Sequence, residues 1–228
     1  MVTTMTPEVA PPEAAVDVVI PCRNEAGSLA GVLAALPPGY RALVVDNGCT
    51  DDTAAVARAG GAVVITEPVP GYGAAVHAGV QACTAEVVCV LDGDGSMDPG
   101  QLPLLVELLI GGADLAVGRR RPTRRGVWPW HARLGNVAIS VLLRRRFGLP
   151  VHDIGAVRAV RRKALLDLQV SDRRSGYPLE LLVRAGRAGW TVAECDITYA
   201  PRTAGRSKVS GSITGTLHAV RDFRTALA

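Results

Sequence analysis

Aromatic side chains are scarce in this chain, with two Phe, three Trp and four Tyr in 228 residues, so its core has to be filled by Ala, Val and Leu. No apolar run approaches the roughly 20 residues that a membrane-spanning helix needs, and any membrane role is expected to be peripheral. Cys-x-x-Cys pairs are missing as well. The five cysteines, Cys22, Cys49, Cys83, Cys89 and Cys195, are scattered and odd in number. That pattern excludes the simple zinc and thiol-redox motifs and reads as reduced thiols in a cytosolic protein. The first 15 residues carry neither the basic start nor the apolar stretch of a secretory signal, and are expected to form a disordered tail before one domain over residues 16–228. Acidic residues are absent from Arg119 to His152, where nine arginines stand (Arg119, Arg120, Arg121, Arg124, Arg125, Arg133, Arg144, Arg145 and Arg146). Setting those nine against the chain's net charge of +4 leaves −5 for the rest. Such asymmetry points to an anionic partner, whether phosphate, membrane surface or nucleic acid.

What is present is a β-α alternation. Val16 to Ile20 reads as a buried strand stopping at Pro21, and Leu29, Val32, Leu33 and Leu36 form one helical stripe before Pro37-Pro38-Gly39. Strands at 42–45, 62–65 and 87–91 alternate with helices at 52–59 and after Gly73. The later half offers helices near 99–110, 131–146, 163–168 and 179–188, and strands at 115–117 and 191–197. This order predicts an α/β, Rossmann-like three-layer sandwich with a mostly parallel sheet. In such sheets ligands bind beyond the carboxyl ends of the strands.

The residues there are polar. Strand one ends in Pro21-Cys22-Arg23-Asn24-Glu25, strand two in Asp46-Asn47-Gly48, and strand four in Asp92-Gly93-Asp94-Gly95-Ser96. Asp92 and Asp94, one residue apart, point to the same side of an extended chain, and the flanking Gly93 and Gly95 allow close approach of a diphosphate. Their hard oxygens suit Mg²⁺ or Mn²⁺; the alternative reading is an acidic surface turn. Gly71-Tyr72-Gly73 is a poor dinucleotide loop, since it follows the third strand and has no third glycine at the required spacing.

Together with Val44 to Thr53 and Gly71 to Ala75, these strand ends resemble glycosyltransferase family two, which has the GT-A fold. The later segments Val117 to Arg120, Asp153 to Ala156, Gly176 to Glu180 and Arg202 to Lys208 look most like the polyprenol-phosphate (dolichol-phosphate) mannosyl and glucosyl transferases. The resemblance implies an inverting transferase using a UDP- or GDP-linked hexose. It implies nucleotide contacts at Pro21, Arg23, Glu25, Asp46, Gly73, Asp92 and Gly93, and a divalent metal at Asp92 and Asp94. It also implies phosphate contacts at Arg120, Arg202, Ser207 and Lys208. This chain departs from the family pattern in carrying Arg23 in place of a tyrosine or apolar residue, Asn47 in place of aspartate, Cys49 in place of serine, and Ser96 in place of a ligating glutamine.

A lipid-phosphate acceptor is already anionic and needs no strong base. A soluble hydroxyl acceptor, the alternative, needs a carboxylate, with Asp153 first and Glu180 second. The helix after Trp128-Pro129-Trp130 carries Arg133, Asn136, Ser140 and Arg144 on one stripe and Leu134, Val137, Ala138, Val141 and Leu142 over much of the rest. It reads either as packing its apolar face on the sheet or as lying in a bilayer interface on the inner face of the membrane. A non-enzymatic binder of anionic polymers remains the alternative of another class, with no nucleic acid expected if the transferase reading holds.

Overall fold

Val16, Val18, Ile20 and Cys22 turn to one side of the first strand and Val19 to the other, and all five are buried, as expected of a strand covered on both faces. The computed structural model describes residues 16–155 and 157–203. Its seven strands are β1 (Val16–Cys22), β2 (Tyr40–Asp46), β3 (Val63–Thr66), β4 (Val87–Val90), β5 (Leu115–Pro122), β6 (Arg158–Arg161) and β7 (Val192–Tyr199). They form one sheet in the order β3-β2-β1-β4-β6-β5-β7. Only β6 runs against its neighbours. The expected tail over residues 1–15 lies outside the described residues, as do Ser207 and Lys208.

Helices α1 (Ala26–Ala34), α2 (Thr53–Ala59) and α4 (Leu102–Ile110) cover one face through Leu29, Val32, Ala57, Leu102, Leu105 and Leu109. Helices α3 (Tyr72–Ala82), α6 (Arg162–Asp167) and α7 (Tyr177–Arg187) cover the other, and α5 (Trp130–Phe147) packs against α7. The three-layer expectation therefore holds. A 3-10 turn over Pro99–Gln101 precedes α4, where the sequence suggested one continuous helix.

Three boundaries differ from expectation for local reasons. β1 continues through Pro21, because β4 pairs with it only as far as Val19, and Pro21's missing N–H faces the side where the ladder has ended. β5 runs five residues beyond Val117, because β7 pairs with it as far as Pro122. β6 is a strand that the sequence pattern does not announce: four residues, two of them arginine, held between β4 and β5.

At the start of β1, Asp17 is fully buried. Arg41, its register partner on β2, donates to both carboxylate oxygens at 2.8 and 2.9 Å, and the N–H groups of Thr84 and Ala85 add 2.7 and 3.0 Å bonds. Burial alone would raise the Asp17 pKa; the Arg41 hydrogen bond and the two backbone donors outweigh it and hold it low. A carboxylate depressed in the folded state stabilises above the unfolded value, roughly pH 4, and that stability is lost as pH falls through the folded value. Asp17→Ala is therefore expected to cost about 2 kcal/mol or more in urea unfolding at neutral pH, with the deficit shrinking in acid.

Candidate active site

The chain leaves β1 toward β2 and β3, then returns to place β4 on the opposite side of β1. Adjacent strand ends diverge at that point and open a crevice. A cleft of about 440 Å³ lies there, lined on one side by Pro21, Cys22, Arg23, Glu25 and Asn47 and on the other by Arg120, Ile154, Tyr199 and Arg202. Asp92, Gly93 and Asp94 line it between them.

Asp94 is 4% exposed and fully engaged. One carboxylate oxygen accepts the Ser96 N–H at 2.8 Å, and the other takes Arg202 Nη2 at 3.0 Å. The Ala200 and Thr203 N–H groups donate to the carbonyls of Ser96 and Asp94, so the chain after β7 lies across this turn. Gly95, at φ +71°, leaves the space that the Thr203 side chain fills. Gly93 serves packing in the same way, since a Cβ there would press on the Cys22 thiol and Ile20.

Asp92 differs. It is half-buried and accepts no hydrogen bond among the described residues. Burial first, then the Asp94 charge, push its pKa up to about 6, against the pull of Arg120, Arg202 and Arg158. Two carboxylates, one without a hydrogen-bonding donor, fit a hard divalent cation. Among the described residues no group of three His, Cys, Asp or Glu side chains is placed to hold a metal ion.

Strand alternation aims Arg120 into the cleft, whereas Arg119 and Arg121 turn the other way to Asp196 on β7, at 3.9 and 2.7 Å. Asp153 grips the Arg120 guanidinium in a bidentate pair at 2.8 and 2.7 Å and also accepts the Arg120 and Gly155 N–H groups. Trp128 lies against the guanidinium at 4.0 Å from the ring centroid, and Tyr199 at 5.5 Å. Burial would raise the Asp153 pKa, but Arg120 outweighs it and holds it below the usual range. The expectation of Asp153 as proton acceptor is thus corrected: it is buried behind Arg120 and acts as that residue's anchor. Glu180 is likewise occupied, by Arg184 at 2.6 Å and by the Ser171 and Asp172 N–H groups.

On the other wall, the loops after β1 and β2 are stitched together. Asn24, at φ +57°, accepts the Thr50 N–H at 2.7 Å, and Glu25 N–H donates to Thr53 Oγ1 at 2.9 Å. Asp46 is not among the residues that line the cleft; one of its carboxylate oxygens accepts the Cys49 N–H at 2.8 Å and shapes the turn. Asn47 explains its own departure from aspartate: its amide nitrogen donates to the carbonyls of Glu67 and Val69 at 2.9 and 2.8 Å, while its oxygen accepts the Gly71 N–H at 2.8 Å. Gly73 also needs correction as a nucleotide contact. Its N–H donates to the Arg174 carbonyl at 3.0 Å, and a Cβ would run into Asp172 and Arg173; Gly71 and Tyr72 face the cleft instead. Sequence reasoning missed Tyr199, the last residue of β7, and the Trp128 platform in the loop after β5, because their meeting at Arg120 joins residues far apart in sequence and no local pattern signals it.

The family model for "Glycosyl transferase family 2" matches residues 17–168. The chain belongs to glycosyltransferase family 2. It is accordingly a glycosyltransferase, which sets aside a non-enzymatic polymer binder. An uncharacterized glycosyltransferase of Mycobacterium tuberculosis (strain ATCC 25618 / H37Rv) is 63% identical over 92% of this chain and 96% of its own length. The polyprenol monophosphomannose synthase of Mycolicibacterium smegmatis is 34% identical over 86% of this chain and 81% of its own. Among solved structures, glucosyl-3-phosphoglycerate synthase from Mycobacterium tuberculosis, in complex with Mn²⁺, UDP and glucosyl-3-phosphoglycerate, superposes with a TM-score of 0.74 at 23% identity. That match covers 92% of this chain and 79% of the other and shows the shared GT-A fold.

Two outcomes follow from this geometry. Below about pH 6 Asp92 takes up a proton that a cation must displace, so Mn²⁺ affinity measured by calorimetry should be weaker at pH 5.5 than at pH 7.5, with proton release on binding. Asn47→Asp removes two donated hydrogen bonds and sets an anion against two carbonyls; it should lower unfolding free energy by about 2 kcal/mol, read from denaturant midpoints.

Proposed function

We propose that this family member transfers a hexose from a UDP- or GDP-linked donor to a polyprenyl-phosphate-type acceptor, with inversion, while seated peripherally on the inner face of a membrane. The observation that carries the donor half is the Asp92–Asp94 pair in a cleft walled by Arg120 and Arg202. Bound Mg²⁺ or Mn²⁺ would supply charge neutralisation for the departing diphosphate. Arg120 is held rigid by Asp153 and Trp128, and Arg202 spans Asp94 and Glu25 at 3.0 and 3.9 Å, so both guanidinium groups meet phosphate oxygens at little reorganisation cost. The acceptor oxygen bonds to the anomeric carbon, the bond from that carbon to the diphosphate oxygen breaks, and its electron pair leaves with the diphosphate.

Two observations favour an anionic acceptor over a soluble hydroxyl. The two carboxylates proposed as bases, Asp153 and Glu180, are both spent on arginines and held below the usual carboxylate range, so neither is suited to accept a proton. In addition, α5 is built inside out. Asn136, Ser140 and Leu143 are its buried residues, whereas Trp130 (76% exposed), Leu134 (62%), Val137 and Leu142 face outward. Exposed Arg124, Arg125, Arg133, Arg145 and Arg146 lie on and beside that surface. An apolar stripe among cations suits a bilayer of anionic lipids. No helix of the described residues is long and apolar enough to cross a membrane.

In a thermal-shift panel of UDP- and GDP-sugars, one nucleotide series should raise the melting temperature only with Mn²⁺ or Mg²⁺ present, and Asp94→Ala should abolish both the shift and hexose transfer. Turnover by Asp94→Ala in excess chelator would refute the metal assignment. The wild-type chain should sediment with vesicles containing anionic lipid, less so at high salt, and Leu134→Glu should lose sedimentation while keeping the nucleotide-sugar shift.

A further inference from the structure

The largest fully buried side chain among the described residues is Arg158 on β6, 1% exposed. Its register partners are Val90 on β4 and Val117 on β5, at the end of the sheet where the cleft opens. Nη2 donates to the carbonyls of Ile154 and Gly155, which line the cleft. Nε and Nη1 make no well-aligned hydrogen bond among the described residues; the Tyr72 hydroxyl, which makes none either, lies against the guanidinium as its neutral polar neighbour. Tyr72 and Tyr177 feel the Arg158 charge, yet burial pushes both phenols up, Tyr177 to about 12, so neither supplies a counter-charge.

A buried cation costs several kcal/mol unless something pays it back. Of the other cleft arginines, Arg120 is matched by Asp153 and Arg202 by Asp94, and Arg23 is exposed to water, so Arg158 is the one that is buried without a paired carboxylate among the described residues. The carboxylate that Arg158 acts on is Asp92, through space and with no hydrogen bond between them. If Asp92 turns to a divalent cation, Arg158 is left without an anion, and the cleft above it gains a further excess of positive charge.

We infer that Arg158 is a fixed counter-charge for the donor diphosphate: a positioning residue beneath Tyr72, Asp92, Ile154 and Gly155 whose charge is balanced only when a nucleoside diphosphate fills the cleft. It acts in two ways. Its field reaches the phosphates through a floor that excludes water, where charge is poorly screened. Its grip on the Ile154 and Gly155 carbonyls also holds the loop that follows Asp153, so the Arg120 anchor and the buried cation share one support. This rests on the reading that the cleft takes a nucleoside diphosphate.

The test compares binding of a nucleoside diphosphate with binding of the matching nucleoside, using UDP and uridine or GDP and guanosine according to which diphosphate the wild-type protein binds in the presence of Mn²⁺. Arg158→Gln keeps a donor for the two carbonyls and removes the charge. It should weaken diphosphate binding by about tenfold or more and nucleoside binding, followed by NMR titration, by less than about twofold. Arg158→Lys restores the charge without the fork and should bind the diphosphate to within about threefold of wild type. Equal weakening of both ligands in Arg158→Gln, or a lysine variant as weak as the glutamine one, would overturn the inference. Should Arg158→Gln fail to fold, Arg158→Lys decides alone, with a loss of about tenfold counting against a role for charge. A wild-type protein that binds neither diphosphate would instead refute the donor reading.

Discussion

Two carboxylates side by side at the end of an apolar strand repel each other, and the surrounding architecture contains that repulsion. β4 delivers Leu91 into the core and leaves Asp92 and Asp94 at the mouth of the crevice. Asp94 is bound by the Ser96 N–H and by Arg202, whereas Asp92, without a bound donor, has a raised proton affinity. The unfavourable energy is local, and a divalent cation, as proposed above, would relieve it.

The arginines that answer those carboxylates come from three places in the chain and are fixed in three ways. Arg120 stands on a strand, buttressed by a buried aspartate and an indole. Arg202 arrives on the segment after β7, held down by backbone bonds to the turn itself. Arg158 rises from the one antiparallel strand. Long flexible cations placed this way lose their freedom during folding, not during substrate binding, which is what the proposed stabilisation of developing charge requires.

Much of this was legible in the sequence, and the failures share a cause. Short apolar, β-branched runs and period-3.6 stripes located the strands and helices of the first half, because elements covered on one or both faces carry their burial in their composition. The turn at Asp92–Asp94 and the stitching residues Asn24 and Thr53 lie where chain order alone puts them. β6 and the outer half of β5 were hidden because arginine there pairs or is buried by partners distant in sequence, which no local pattern encodes. Asp153 and Gly73 carried family-like signals, yet a single sequence cannot show that the carboxylate is already saturated by Arg120, or that the glycine's N–H is spent on the loop at Arg174. Asn47 is the converse. Its replacement of aspartate stood out only as a departure from the family pattern, and in the structure it is a three-way backbone clamp.

The inverted helix α5 bears on how the reaction is metered. Its inner residue Asn136 bonds the carbonyl of His152 and the N–H of Ile154, on either side of the aspartate that anchors Arg120. The surface proposed to meet a bilayer and the loop that fixes Arg120 are thus opposite sides of one helix. An enzyme seated by that helix searches for a lipid-borne acceptor in two dimensions. Its rate would then follow the acceptor's mole fraction in the membrane rather than its bulk concentration, so diluting the lipid phase with inert lipid would slow turnover even at constant total substrate.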